Sequence, residues 1–288
     1  MIPRDYITEW RAIAPWIQDF QVEQDLVISR ALVELFSQPL LQEALAFRGG
    51  TALYKLYLTP PARYSEDIDL VQTKAGPAGP MMETLRATLD PSLGQPRWKQ
   101  TEGRVAFVYR LVSEDVPPIP LRLKVEINSR EHFTVYGLTQ LPFSVASRWF
   151  EGSCQIRSHA LDELLGTKLR ALYQRKQGRD LFDLATALAR PEVDPARIVA
   201  CFSAYMKHEG HRVTRAQFEE NIALKVRDPL FRADISALLA TGFTWDVDEA
   251  ATAVSSRLVA LLPGDPWKGE PSSRSRAGSR RGRPRHRS

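Results

Sequence analysis

Phe47-Arg48-Gly49-Gly50-Thr51-Ala52-Leu53, followed by Arg63-Tyr64-Ser65-Glu66-Asp67-Ile68-Asp69-Leu70, is the stretch on which the reading of this 288-residue chain turns. Residues 46–48 are a short apolar piece that reads as a strand, residues 51–58 carry helical spacing, and residues 68–71 read as the next strand. Side chains alternate across a strand, so Asp67 and Asp69 share one face, where oxygen ligands a few ångströms apart suit a hard cation such as Mg²⁺. Gly49-Gly50 sits between a strand and a probable helix. Unhindered N–H groups there, at a helix N-terminus, suit an anion such as a triphosphate.

An Asp-x-Asp pair alone says little. With 16 Asp in the chain, about one such pair is expected by chance, and a second occurs at Asp246 and Asp248. That second pair follows Gly242 and precedes Glu249-Ala250-Ala251, where acids suit the first turn of a helix and its macrodipole. The first pair differs in its surroundings. Downstream, Leu121, Leu123, Val125 and Ile127 alternate with Arg122, Lys124, Glu126 and Asn128, as in a half-buried strand. Glu126 lies on its polar side and is a candidate third carboxylate, the alternative being an ordinary solvent-facing Glu. Three carboxylates beside a glycine turn suit two-metal phosphoryl transfer.

Working outward, residues 3–45 read as helices interrupted at Pro39, and residues 105–112 as a further strand. Residues 81–89 read as a helix. From 160 to about 262 helix follows helix, with breaks at Gly178, Pro191, Gly210, Pro229 and Gly242. The expected organisation is N-terminal helices over 1–44, a mixed α/β core over 45–157, a helical domain over 158–263 and a disordered basic tail over 264–288. In the helix that begins near Ala160, at roughly 100° per residue, Lys168 falls inside the apolar stripe of Leu161, Leu164, Leu165, Leu169 and Leu172. A lysine there must snorkel, pair with a carboxylate or face an anion. Asp180 and Asp183, in Gly-Arg-Asp-Leu-Phe-Asp-Leu, lie one turn apart on the next helix, where a dipole-favoured N-terminal pair is the simpler account.

Composition narrows the classes. With 43% apolar and 25% charged residues the chain is expected to be a globular protein, and no apolar run approaches the ~18–20 residues of a membrane span. Asp5, Glu9 and Asp19 fit neither a secretory h-region nor an acid-poor transit peptide, so a cytoplasmic location is expected. Two cysteines, Cys154 and Cys201, exclude a disulfide scaffold and a cysteine-ligated zinc site, and nothing marks Cys154 as an activated nucleophile. His208-x-x-His211 is the only close histidine pair and lacks a further ligand. The net charge of +5 is local: from Gly264 onward eight cationic side chains face Asp265 and Glu270, so the preceding 263 residues carry −1. Arg281-Gly282-Arg283-Pro284-Arg285 in that tail is similar to an AT-hook core, although general attraction to phosphate explains the same residues.

The Gly-Gly-Thr-Ala-Leu and Arg-x-Ser-Glu-Asp-Ile-Asp-Leu segments, with Lys168-Leu-Arg-Ala-Leu and Gly-Arg-Asp-Leu-Phe-Asp-Leu, resemble the AbiEii/MenT nucleotidyltransferase-like toxins of the DNA polymerase β superfamily. The resemblance covers roughly residues 45–190. It implies an α/β (α+β) nucleotidyltransferase core with a mixed sheet and a helical C-terminal domain. It also implies an Mg²⁺-dependent transfer of NMP from an NTP to an RNA hydroxyl, at the 3′ end of tRNA, which blocks translation, and a separately encoded antitoxin. The expected catalytic set is Asp67, Asp69, Glu126, Lys168 and Asp183, with Asp67, Asp69 and Glu126 holding two metal ions. The expected nucleotide-binding set is Gly49, Gly50, Thr51, Arg63, Ser65, Lys168 and Asp180. Ser65 is also a candidate for inhibitory phosphorylation, against the plainer reading of a short polar turn residue. The alternatives are an Asp-x-Asp glycosyltransferase using a nucleotide sugar and a non-catalytic nucleotide- or nucleic-acid-binding protein.

Overall fold

A computed structural model describes residues 2–269. The Arg-rich segment from 270 onward, with its expected disorder and AT-hook-like core, lies outside the described residues. Three helices open the chain, α1 (Arg4–Trp10), α2 (Asp19–Phe36) and α3 (Pro39–Ala44). They are followed by β1 (Leu45–Arg48), α4 (Gly49–Leu56), β2 (Asp67–Gln72) and α5 (Gly79–Leu93). Next come β3 (Arg97–Thr101), β4 (Arg104–Val112), β5 (Pro120–Asn128), β6 (Leu138–Ala146) and β7 (Glu151–His159). The remainder is helical: α6 (Leu161–Gln174), α7 (Gly178–Leu188), α8 (Pro195–His208), α9 (Arg215–Val226), α10 (Pro229–Ala233), α11 (Val247–Arg257) and a 3₁₀ turn, Val259–Leu261. No helix among the described residues is long and apolar enough to cross a membrane.

The mixed sheet is present, with seven strands in the order β3-β4-β5-β2-β1-β7-β6. β2 runs parallel to β5 and antiparallel to β1, and β1 runs parallel to β7. One face is apolar. Val105, Phe107, Tyr109 and Leu111 of β4 and Leu121, Leu123, Val125 and Ile127 of β5 pack there against α2 and α5 in one core cluster. The sheet therefore turns its charged face the other way, and that face carries Asp67, Asp69, Arg122, Lys124 and Glu126.

A second cluster lies among the C-terminal helices, and α4 belongs to both. Ala52 packs with the sheet, while Leu53, Tyr54 and Leu58 pack with Leu165, Leu169, Leu172, Leu181 and Phe182. Three strands escape the sequence pattern. All five residues of β3 are exposed, so no alternation marks it. The sheet-edge strand β6 holds Pro142, and β7 reads Glu-Gly-Ser-Cys-Gln-Ile-Arg-Ser-His. Gly178 and Pro229 begin helices where breaks are expected. A Cβ at Gly178 would collide with the Phe231 carbonyl oxygen, so this glycine lets α7 start against α10.

Candidate active site

Register brings the quoted residues together. Arg48 stands opposite Asp69 on β1, Asp69 opposite Glu126, and Asp67 opposite Lys124. The chain turns from β1 into α4 at Gly49, which has φ +84°, and a Cβ there would overlap the Asp69 carboxylate. Glycine is thus needed for the turn and for the close approach of the aspartate. The first N–H groups of α4 have no intrahelical partner, and Gly49 and Gly50 line the cleft beside Asp67 and Asp69.

That cleft has two lobes that share Gly50, Asp67, Asp69, Lys168 and Arg175. The first is also walled by Arg48, Arg104, Lys124 and Arg170. The second adds Arg63, Ser65, Gln177 and Arg179. Cations from β1, β4, β5, α6 and α7 thus surround two carboxylates, a setting for a polyanion that is brought close to bound metal.

Among the described residues, no side chain hydrogen-bonds or ion-pairs with the carboxylate of Asp67 or Asp69. Burial, then the neighbouring Asp69 charge, pushes the Asp67 carboxyl up to about 6, against the opposing pull of Lys124. Two unpaired, mutually repelling carboxylates on one face fit a divalent cation. Glu126 is placed differently from the expectation. It stands in register beside Asp69, but Oε1 accepts from Arg104 Nε at 2.6 Å and Oε2 from Lys124 Nζ at 2.6 Å. A carboxylate only 9% exposed needs such partners, and they occupy both of its oxygens although it lines the same lobe of the cleft as Asp67 and Asp69. Among the described residues no three His, Cys, Asp or Glu side chains are gathered around one metal position. The expected three-carboxylate set is therefore two carboxylates and a third held by cations.

The helical side shows a second departure. Asp183 is fully buried and does not line the cleft. Its Oδ1 accepts from Arg63 Nε at 2.6 Å and Tyr54 Oη at 2.9 Å, and its Oδ2 from Arg63 Nη2 at 2.7 Å and Lys168 Nζ at 2.8 Å. Burial would raise its pKa, but the Arg63 and Lys168 charges outweigh it and hold the carboxyl well below the usual range. Both oxygens of Asp183 are thus occupied, and it holds Arg63 and Lys168 in place. Asp180 is equally buried, held by Arg175 at 2.7 and 2.8 Å and by Lys168 at 3.1 Å, and it too stands behind the cleft. The lysine inside the apolar stripe thus pairs with two aspartates. An ammonium has three N–H donors, so one of Lys168 remains for an anion in the cleft it lines.

Arg63, 2% exposed, lies under the glycine turn: a Cβ at Gly50 would come within 2.5 Å of Nη2. It therefore ties the start of α4 to α7. Thr51 is buried, with Oγ1 2.9 Å from Ser65 Oγ and 2.6 Å from the Asp67 carbonyl oxygen, which fixes the loop that presents Asp67. Ser65 is half-buried and lines the cleft. Arg175, Lys124, Arg104 and Arg179 line the cleft without being among the residues that the sequence motifs point to. Lys124 could have been found, two residues before Glu126 on the same face; Arg175 follows the apolar stripe of α6 and gives no local signal. Elsewhere, burial pushes the Cys154 thiol up to about 11, the opposite of an activated nucleophile, and His208 stacks on Phe133 with centroids 4.9 Å apart.

The sequence model of the nucleotidyl transferase AbiEii toxins, described as a type IV toxin–antitoxin system, matches residues 30–253. The chain belongs to this family. The match runs from within α2 to within α11 and so includes both carboxylate pairs and the cleft. Among solved structures the fold is similar to MenT4, a nucleotidyltransferase toxin of Mycobacterium tuberculosis H37Rv. The TM-score is 0.63 at 20% identity, over 91% of this chain and 91% of that one. It is also similar to JHP933 of Helicobacter pylori, with TM-score 0.53 and 18% identity over 85% of this chain and 92% of that one. Comparison with curated protein sequences returned no match. An AbiEii-family chain is a toxin-type nucleotidyltransferase, and its family implies an NTP substrate and an antitoxin partner.

Proposed function

We propose that the chain transfers a nucleoside monophosphate from an NTP to a hydroxyl at the 3′ end of a tRNA, with Mg²⁺ held by Asp67 and Asp69, and so blocks translation until an antitoxin intervenes. The observation that carries this reading is the cleft itself. Two unpaired carboxylates stand against the N-terminus of α4 and are enclosed by cations from five elements. In the reaction the acceptor oxygen bonds to the α-phosphorus, the bond from that phosphorus to the β-phosphate oxygen breaks, and pyrophosphate leaves with the electron pair. The hydroxyl proton passes to solvent. When bound, the metal supplies charge neutralisation and lowers the pKa of the attacking hydroxyl.

The protein's own groups do the rest. N–H groups of Gly49 and Gly50 and the free donor of Lys168 orient the triphosphate, while Arg175 stands ready to neutralise the departing pyrophosphate. Asp183 and Asp180 keep Arg63, Lys168 and Arg175 in place. The test is incubation with labelled NTPs, total tRNA and Mg²⁺. Labelled tRNA that is lost with EDTA and with Asp67→Asn supports the reading, whereas equal labelling by the variant, or label found only on protein or small molecules, overturns it.

A further inference from the structure

The charged face of the sheet does not end at the cleft. Strand register continues it outward in rows, each residue opposite its neighbour: Asp69, Glu126, Ala106 and Lys99; then Asp67, Lys124, Val108 and Arg97; then Arg122 and Arg110. Arg97, Lys99, Arg104, Arg110, Arg122 and Lys124 thus share one face over β5, β4 and β3. The far strand is three spacings from β2, about 14 Å at ~4.8 Å each. Arg104 and Lys124 are taken by Glu126. Among the described residues, Arg97, Lys99, Arg110 and Arg122 form no ion pair.

Two features of this face point to an anion that the chain does not itself supply. Arg110 stands directly opposite Arg122, a like-charge cross-strand pair that destabilises a sheet unless something neutralises it. The rows also start at the two aspartates, Asp67 standing opposite Lys124 and Asp69 opposite Glu126. A polyanion whose end reaches Asp67 and Asp69 can lie across β5, β4 and β3, whereas α6 walls the cleft with Thr167, Lys168, Arg170 and Ala171.

We propose that the open half of the sheet, β5-β4-β3, is the docking surface for the sugar-phosphate backbone of the acceptor RNA, with Arg97, Lys99, Arg110 and Arg122 as its phosphate contacts. The proposal rests on the RNA-acceptor reading above and adds to it a place and a polarity: the reacting end lies at β2 and the strand runs toward β3. An acidic protein would satisfy the same charges, but it would not need the rows to begin at the two aspartates.

The test uses the full chain, Arg-rich tail included, and fluorescence anisotropy with total tRNA over a range of KCl concentrations. The double variant Arg97→Ala/Arg110→Ala removes two cations outside the cleft, and Lys207→Ala/Arg212→Ala removes the same charge from an exposed surface elsewhere. The first should bind RNA at least about tenfold more weakly, with the slope of log K against log salt shallower by about 1.4. The control should stay within about twofold, and Mg²⁺-dependent NTP binding should be unchanged in both. Equal losses in the two variants, or an unchanged slope in the first, overturn the docking surface. So does a first variant that keeps RNA affinity and loses a protein partner instead. If that variant binds and labels tRNA like the wild type, the docking surface alone fails; if the wild type labels no RNA, the acceptor reading fails with it.

Discussion

Two pairs of aspartates, one on a strand that lines the cleft and one on a helix buried behind its wall, have been given opposite jobs by their surroundings. Asp67 and Asp69 have no cationic partner among the described residues, and burial with mutual repulsion raises the Asp67 carboxyl to about 6. Asp180 and Asp183 are fully buried, saturated by Arg63, Lys168, Arg175 and Tyr54, and their carboxyls are held below the usual range. The first pair keeps unsatisfied charge where a substrate can use it. The second has no charge to offer and holds cations in position. A third pair supplies the baseline: Asp246 caps α11 by accepting from the N–H groups of Asp248 and Glu249, and Asp248 pairs with Arg232 at 2.8 Å. Residue type is the same in all three, so partners and burial decide the role.

The comparison can be broken most directly at Asp67. Asp67→Asn should lower labelling of tRNA by at least about 10⁴-fold, more than 5 kcal/mol of transition-state stabilisation, while the melting temperature stays level or rises. A variant that unfolds would place Asp67 among the structural aspartates. Asp183→Asn should do the reverse. It leaves Arg63 and Lys168 buried beside a neutral group, which costs about 3–5 kcal/mol in denaturant unfolding. If Asp183→Asn is as stable as the wild type but inactive, the positioning role is wrong.

The pairs should also differ in their response to pH. Asp67 has a folded pKa above its unfolded value, so its contribution to stability is fully present below about pH 4 and is lost as pH rises through about 6. In EDTA, Asp67→Asn should therefore gain on the wild type between pH 4 and 7, by about 1–2 kcal/mol once partial exposure is allowed for. The buried pair has the opposite sign, because its depressed pKa values give stability that is present above the unfolded pKa and lost in acid. Melting curves at pH 4, 5.5 and 7 separate the two. The smallest effect belongs to Asp246→Ala, about 1 kcal/mol from a lost N-cap with labelling untouched. A loss of labelling there would mean that the Asp-x-Asp pattern carries chemistry without its surroundings.

How far these roles are legible in the sequence depends on the range of the interactions that set them. β5 can be read because its inner face is buried in one core and its outer face is wet, so Leu121 to Asn128 alternate. The Gly49-Gly50 turn and the shared face of Asp67 and Asp69 are also local, set by φ at one residue and by the pleat of one strand. The partners of Asp183 are 120 residues away at Arg63 and 129 at Tyr54, and no spacing rule reports such contacts. The same holds for Glu126, whose polar-face position is readable but whose capture by Arg104 depends on a β4–β5 register that its own strand does not specify. β3 is invisible for a different reason: a fully exposed edge strand has no apolar face to leave a pattern.

The helix that starts at Gly49 has a consequence for how the protein can be taken apart. Its Ala52 belongs to the core beneath the sheet, and its Leu53 and Tyr54, with Leu58 just beyond it, to the core among the C-terminal helices. Ending the chain at His159 would strip Leu53, Tyr54, Leu58 and Ala62 of their cover and leave Arg63 without Asp183. The α/β half therefore does not stand alone, and any bisection of the gene product must part the packing of the helix that opens at Gly49-Gly50.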